Sequence, residues 1–153
     1  MGRNGSGKST LMKIVFGSLE TTFKSIRVDG KPLVGNYIET GIIGYLRQGH
    51  YIPSHLKVKQ ALDFFKIPYD LLLQEFSGFS IMMDTTVRNL SGGYSRLLEA
   101  FLILKSNHKF ILLDEPFSGL MPQHIECLKK IMVEEKHKKG FWFQIIYTST
   151  LWN

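Results

Sequence analysis

The chain has 153 residues, 44% hydrophobic and 21% charged, with a net charge of +6 and a pI near 9.4. That length buries one core rather than several, and the composition excludes disordered, collagen-like and disulfide-stapled classes, since the single cysteine, Cys127, has no intrachain partner and is expected to pack as a small apolar residue. No apolar run approaches the roughly 18 residues that span a bilayer, and the positive charge is read as scattered solvated lysines with one dense cluster at Lys136–Lys139, not as a nucleic-acid surface.

In chain order, Gly2 to Thr10 reads GRNGSGKST and fits G-x-x-x-x-G-K-[ST], with Gly2, Gly7, Lys8 and Ser9 at the fixed places. Gly2, Gly5 and Gly7 let the backbone curl without Cβ clashes, so successive N–H groups along Gly2, Arg3, Asn4, Gly5, Ser6 and Gly7 turn toward phosphate oxygens at the start of a helix. Lys8 is placed to reach β- and γ-phosphates, Ser9 to ligate Mg2+, and Thr10 to add a donor near the α-phosphate. The plain alternative is a glycine-rich turn ahead of a helix.

Leu11, Ile14 and Val15 share one face of the segment Lys8–Phe16, which ends at Gly17 as a helix does. Phe23–Val28 reads as a strand turning at Asp29-Gly30, and Ile42–Leu46 as the next. From Val58 to about Phe79 the pattern is helical and aromatic, and most of Tyr51, Phe64, Phe65 and Tyr69 are expected in the core, with a partner interface as the alternative.

LSGGYSR, 90–96, places Ser91 to cap a helix over Gly92–Leu104, whose exposed N–H groups at Gly92 and Gly93 favour an anion; a simple helix-start turn is the alternative. In KFILLDEPFSGL, 109–120, the apolar run Phe110–Leu113 ends in Asp114 and Glu115, as expected of a buried parallel strand delivering acids to a sheet's carboxyl edge. Those acids could instead cap the following helix. A further helix is expected over His124–Lys138, and strands alternating with helices imply a parallel α/β sheet.

A glycine-rich phosphate loop, then LSGG, then an apolar strand ending DEP, in that order, resembles the nucleotide-binding domain of ATP-binding cassette (ABC) ATPases, from Gly2 to about Gly140. The resemblance implies a P-loop NTPase fold with a mainly parallel, here incomplete sheet and an inserted helical subdomain at 54–91. It implies ATP and Mg2+ as ligands, with Asp114 holding the metal through water and Glu115 as general base. GIIGYLRQGHYIP, 41–53, resembles the family's Q-loop, so Gln48 would contact Mg2+ and the attacking water. A solvated loop glutamine is the alternative.

By the same resemblance two domains pair head to tail, and Ser91, Gly92 and Gly93 of one close over the γ-phosphate held by the other. In the transport branch the domain is a cytoplasmic ATPase subunit, held at the inner face of the cell membrane by a separate transmembrane permease, with no nucleic acid expected. A soluble non-transport ABC ATPase and a non-catalytic fragment are the alternatives.

The departures from the family pattern are specific. Tyr94 stands where LSGGQ has glutamine, and Met121 takes the place of the D-loop aspartate. No strand and no adenine-stacking aromatic precede the phosphate loop, so a start missing from a longer protein is expected. The tail after Gly140 offers no switch histidine, and His124 and His137 lie too early for that role. Back-translating from Gly140 with permitted codons and reading from the third base gives ILVSDHLY, an apolar strand ending Asp-His. A one-base frameshift over 140–153 is therefore expected, and sequencing that stretch decides it.

Overall fold

The computed structural model describes residues 7–144. The expectations for Gly2, Arg3, Asn4, Gly5 and Ser6, and for the tail from 145, lie outside the described residues.

Helix α1, Lys8–Phe16, starts at Gly7, whose φ of 82° is left-handed, and stops at Gly17, whose φ of 95° lets its N–H fold back to the carbonyls of Lys13 and Ile14. The Tyr37 hydroxyl donates to the carbonyl of Val15 at 3.0 Å, satisfying one of the orphan acceptors there.

Strands β1, Arg27–Val28, and β2, Lys31–Pro32, form a small antiparallel hairpin. Its two-residue turn has Asp29 and Gly30 at φ 50° and 75°, the positive-φ geometry that matches strand twist. The expected strand from Phe23 is cut to these last two residues. Phe23 is 90% exposed, so no packing draws the segment before Arg27 into a sheet.

The main sheet is parallel, in the order β3, β4, β5, where β3 is Ile43–Leu46, β4 Phe110–Asp114 and β5 Gly140–Gln144. Central β4 is covered on both sides, as its continuous apolar run requires. Leu112 packs with Met12 of α1, Tyr37, Ile43 and Tyr45, while Ile111 and Leu113 face the larger core.

That larger core is built on α4, Gly92–Lys105, in which every residue from Ser95 to Leu104 is buried. Helix α5, Pro122–Glu135, adds Leu128 and Ile131. The segment 58–79 does not form one helix. It divides into α2, Val58–Phe64, and α3, Tyr69–Glu75, followed by a short 3-10 turn. Lys66 at φ 56° and Pro68, which lacks an N–H, break the helical ladder between them.

Tyr51 and Phe65 pack against the core, as expected, with their rings edge-on to each other at 6.0 Å. Phe64 does not: it is 78% exposed on the outer face of α2, and Tyr69 is also exposed, its hydroxyl donating to Asp63 at 2.7 Å. Cys127 is half-buried among apolar neighbours.

In the lysine cluster Lys136 and Lys138 are exposed, as expected of solvated charge, and Lys139 is the exception. Lys139 Nζ donates to the carbonyls of Leu104 at 2.5 Å and Ser106 at 2.7 Å, closing the C-terminus of α4, and Glu135 lies within ion-pair reach of both Lys105 and Lys139.

Candidate functional site

Parallel pairing puts the ends of β3 and β4 side by side, with Leu46 opposite Leu113, so the residues that follow emerge together at the carboxyl edge. Asp114 ends β4 and is 1% exposed. Its Oδ2 accepts from the Tyr45 hydroxyl at 3.3 Å, whereas Oδ1 is buried with no hydrogen-bond partner. An orphaned buried carboxylate oxygen is costly and is satisfied by a cation or by its bound water. Burial, and then the neighbouring Asp114 charge, push Tyr45 up to about 12, so its hydroxyl is a donor at neutral pH.

Glu115 follows at φ 52°, a left-handed backbone that turns its side chain away from the strand direction. Its Oε1 accepts from Gln48 Nε2 at 2.9 Å, joining two residues 67 positions apart. The three residues Gln48, Asp114 and Glu115 thus stand together. The alternative that the acids cap the next helix does not hold, because α5 starts seven residues after Glu115, at Pro122, with Met121 as its N-cap and no side-chain cap bond. An aspartate at 121 would supply such an acceptor; methionine does not.

Lys8, Ser9 and Thr10 form the first turn of α1, with no acidic residue there to compete with an anion for the helix N–H groups. Ser91 is the N-cap of α4, its Oγ accepting from the Tyr94 N–H at 3.3 Å, and Ser91 and Gly92 are exposed. A Cβ on Gly93 would lie 3.2 Å from the carbonyl oxygen of Gly119, so this turn abuts the loop after Glu115. Among the described residues no hydrogen bond links Ser91–Gly93 to Gln48, Asp114 or Glu115. The Tyr94 ring turns inward, 5.3 Å from Phe79 and 5.5 Å from His124.

Sequence reasoning missed two residues of α4. Arg96, 6% exposed, donates to the carbonyls of Arg47 at 2.7 Å, Asp114 at 2.7 Å and Glu115 at 3.0 Å. Burial pushes the guanidinium below its usual pKa, against the raising pull of Glu99, Asp114 and Glu115. Glu99, 0% exposed, accepts from the Tyr51 N–H at 3.0 Å, and its Oε2 lies 3.9 Å from Arg96 Nη1. The available signal was Glu99 interrupting the otherwise apolar stretch 97–104, with Arg96 three residues before it. Among the described residues no cluster of three His, Cys, Asp or Glu side chains forms a self-sufficient metal cage. Mg2+ does not need one, since it keeps waters and takes phosphate oxygens.

The family profile described as ABC transporter matches residues 1–118. The chain is 31% identical over 152 residues to the high-affinity branched-chain amino acid transport ATP-binding protein BraG of Pseudomonas aeruginosa, covering 92% of this chain and 65% of that protein. It is 34% identical over 154 residues to the lipopolysaccharide export system ATP-binding protein LptB of Haemophilus influenzae, covering 90% and 63%. The chain thus spans just under two thirds of the length of these relatives. A solved ATP-binding subunit of an ABC transporter superposes with a TM-score of 0.80 at 24% identity, over 94% of this chain and 65% of that one, which shows a shared mixed α/β fold. With three ordered motifs, a matching profile and a common fold, the chain belongs to the ABC transporter ATP-binding family.

Proposed function

We propose that this chain binds ATP with Mg2+ and hydrolyses it to ADP and phosphate, as the motor part of a membrane transporter. The observation that carries the reading is the carboxyl edge of β4. There a buried Asp114 oxygen lacks a donor, beside a Glu115 carboxylate held against Gln48.

The N–H groups at the start of α1 orient the triphosphate, to which the motif residues Gly2, Arg3, Asn4, Gly5, Ser6 and Gly7 are assigned by sequence alone, and the Lys8 ammonium balances charge on the β- and γ-phosphates. Ser9 and Asp114 are the residues to hold Mg2+, with Gln48 at its margin; when bound, the ion neutralises charge on the phosphate oxygens. Gln48 orients a water, and Glu115 removes its proton as the oxygen attacks the γ-phosphorus and the bond to the β-phosphate oxygen breaks. In a head-to-tail pair the Ser91 hydroxyl and the Gly92 and Gly93 amides face the partner's γ-phosphate.

The transport role is supported by the relatives named for branched-chain amino acid transport and lipopolysaccharide export. Among the described residues no helix is long and apolar enough to cross a membrane. On the likeness to these transport ATP-binding proteins, a separate permease would hold the subunit at the inner membrane face. The test is Glu115→Gln, measured for phosphate release and for binding of a fluorescent ATP analogue. Binding is expected to persist while turnover falls by about 10²–10⁴-fold. Parent-like turnover in the glutamine variant would remove Glu115 from the mechanism.

A further inference from the structure

The mechanism above uses Gln48 and Glu115 but not what holds them together. Each rides on a different strand: Gln48 is the second residue past β3, Glu115 the first past β4. Beyond the last paired residues no strand ladder fixes their separation.

Arg96 stands behind this gap. Its Nη1 donates to the carbonyl of Arg47, the residue before Gln48, and its Nη2 donates to the carbonyls of Asp114 and Glu115. With the Gln48–Glu115 side-chain bond this closes a ring of contacts around the carboxyl edge. The same guanidinium stabilises the carbonyl of a non-glycine residue at positive φ, a conformation that persists only where its surroundings over-determine it.

A planar guanidinium reaches the carbonyls at the two strand ends from two nitrogens held in a fixed fork, whereas an ammonium offers one nitrogen of no fixed orientation. Glu99, one turn further along α4, balances the buried charge and takes the N–H of Tyr51, fixing the far side of the same loop. The counter-charge and the three carbonyl dipoles explain why a charge is kept in so dry a place.

We propose that Arg96 is a positioning residue that sets the distance between Gln48 and Glu115, and so the place of the attacking water. The catalytic part of this rests on the hydrolytic reading above; the positioning part does not.

The experiment therefore has two arms, run on the parent chain and on Arg96→Lys. In the first, with no nucleotide, NMR follows the Gln48 side-chain amide. Its signal is expected to move on Glu115→Ala in the parent and to be insensitive to that change once Arg96 is lysine. In the second, Arg96→Lys is expected to lower kcat by about 10²-fold with KM within about twofold, the cost of misplacing groups by about 1 Å. A general loss of packing would instead move KM and the unfolding midpoint as well. Persistence of the Gln48 response in the lysine variant, or a parent-like kcat, overturns the proposal. If Glu115→Gln itself leaves turnover unchanged, the base assignment fails while the NMR arm still decides what Arg96 does. Should Arg96→Lys not fold, Arg96→Gln, whose amide still donates to one carbonyl, carries the same two readouts.

Discussion

Tyr45→Phe isolates one bond at the metal-side carboxylate. The substitution keeps the ring, and with it the contact to Phe16 at 5.3 Å, and removes only the hydroxyl that donates to Asp114 Oδ2. Asp114 is then buried with neither oxygen partnered, because Oδ1 already lacks a donor. A hydrogen bond to a charged group contributes about 1.5–3 kcal/mol. At 3.3 Å this one is longer than the usual ~2.8 Å for O–H···O, which favours the lower end, about 1.5–2 kcal/mol. For a domain of this size that shifts the thermal midpoint by about 3–8 °C. The assay is paired urea and thermal unfolding, with and without saturating Mg2+-ATP. The loss is expected to shrink in the loaded protein, where the carboxylate has another partner. A phenylalanine variant that unfolds at the parent midpoint, or a loss unchanged by Mg2+-ATP, would refute the reasoning.

Two other outcomes follow from the core and from the α4–α5 clasp. Phe101→Ala, at a fully buried ring packed edge-on against Phe76 at 5.8 Å, is expected to cost about 3–5 kcal/mol in urea unfolding, a large share of the roughly 5–15 kcal/mol that stabilises most domains. Burial alone would raise the Glu135 carboxyl, but the Lys105 hydrogen bond and the charges of Lys139, Lys105 and Lys138 outweigh it and hold the pKa below its ordinary 4.5. A depressed carboxyl contributes stability that is fully present above pH 4.5 and is lost as the pH falls through the lower, folded value. The urea midpoint should therefore drop on acidification below that point, and Glu135→Gln should flatten this part of the profile.

Much of the site was legible because it is local. Ser91 caps α4 through a bond three residues long, and a continuous apolar run fixed β4 and put Asp114 and Glu115 at its end. The family resemblance added Gln48, which nothing in its own neighbourhood distinguishes from a solvated glutamine; its contact with Glu115 is a product of strand pairing. Arg96 and Glu99 were not found, because whether a helical charge faces water or three carbonyls depends on what packs over it, and α4 is covered from all sides. The helical pattern of 58–79 is divided between α2 and α3, with Pro68 standing between them. Phe64 departs from the core expected of it: it fits the apolar rhythm of α2 yet sits on its outer face.

The sheathing of α4 has a consequence for how the turn at Ser91–Gly93 moves. Ten successive buried residues, Ser95–Leu104, leave this helix no free face on which to roll, and the clasp of Lys139 closes its far end. Its amides can exchange with solvent only when the surrounding core opens, so the helix and that core form one cooperative unit. Ser91 and Gly92 project from the tip of that unit, and any displacement of them carries the Arg96 guanidinium, and the two strand ends it grips, along the same rigid axis.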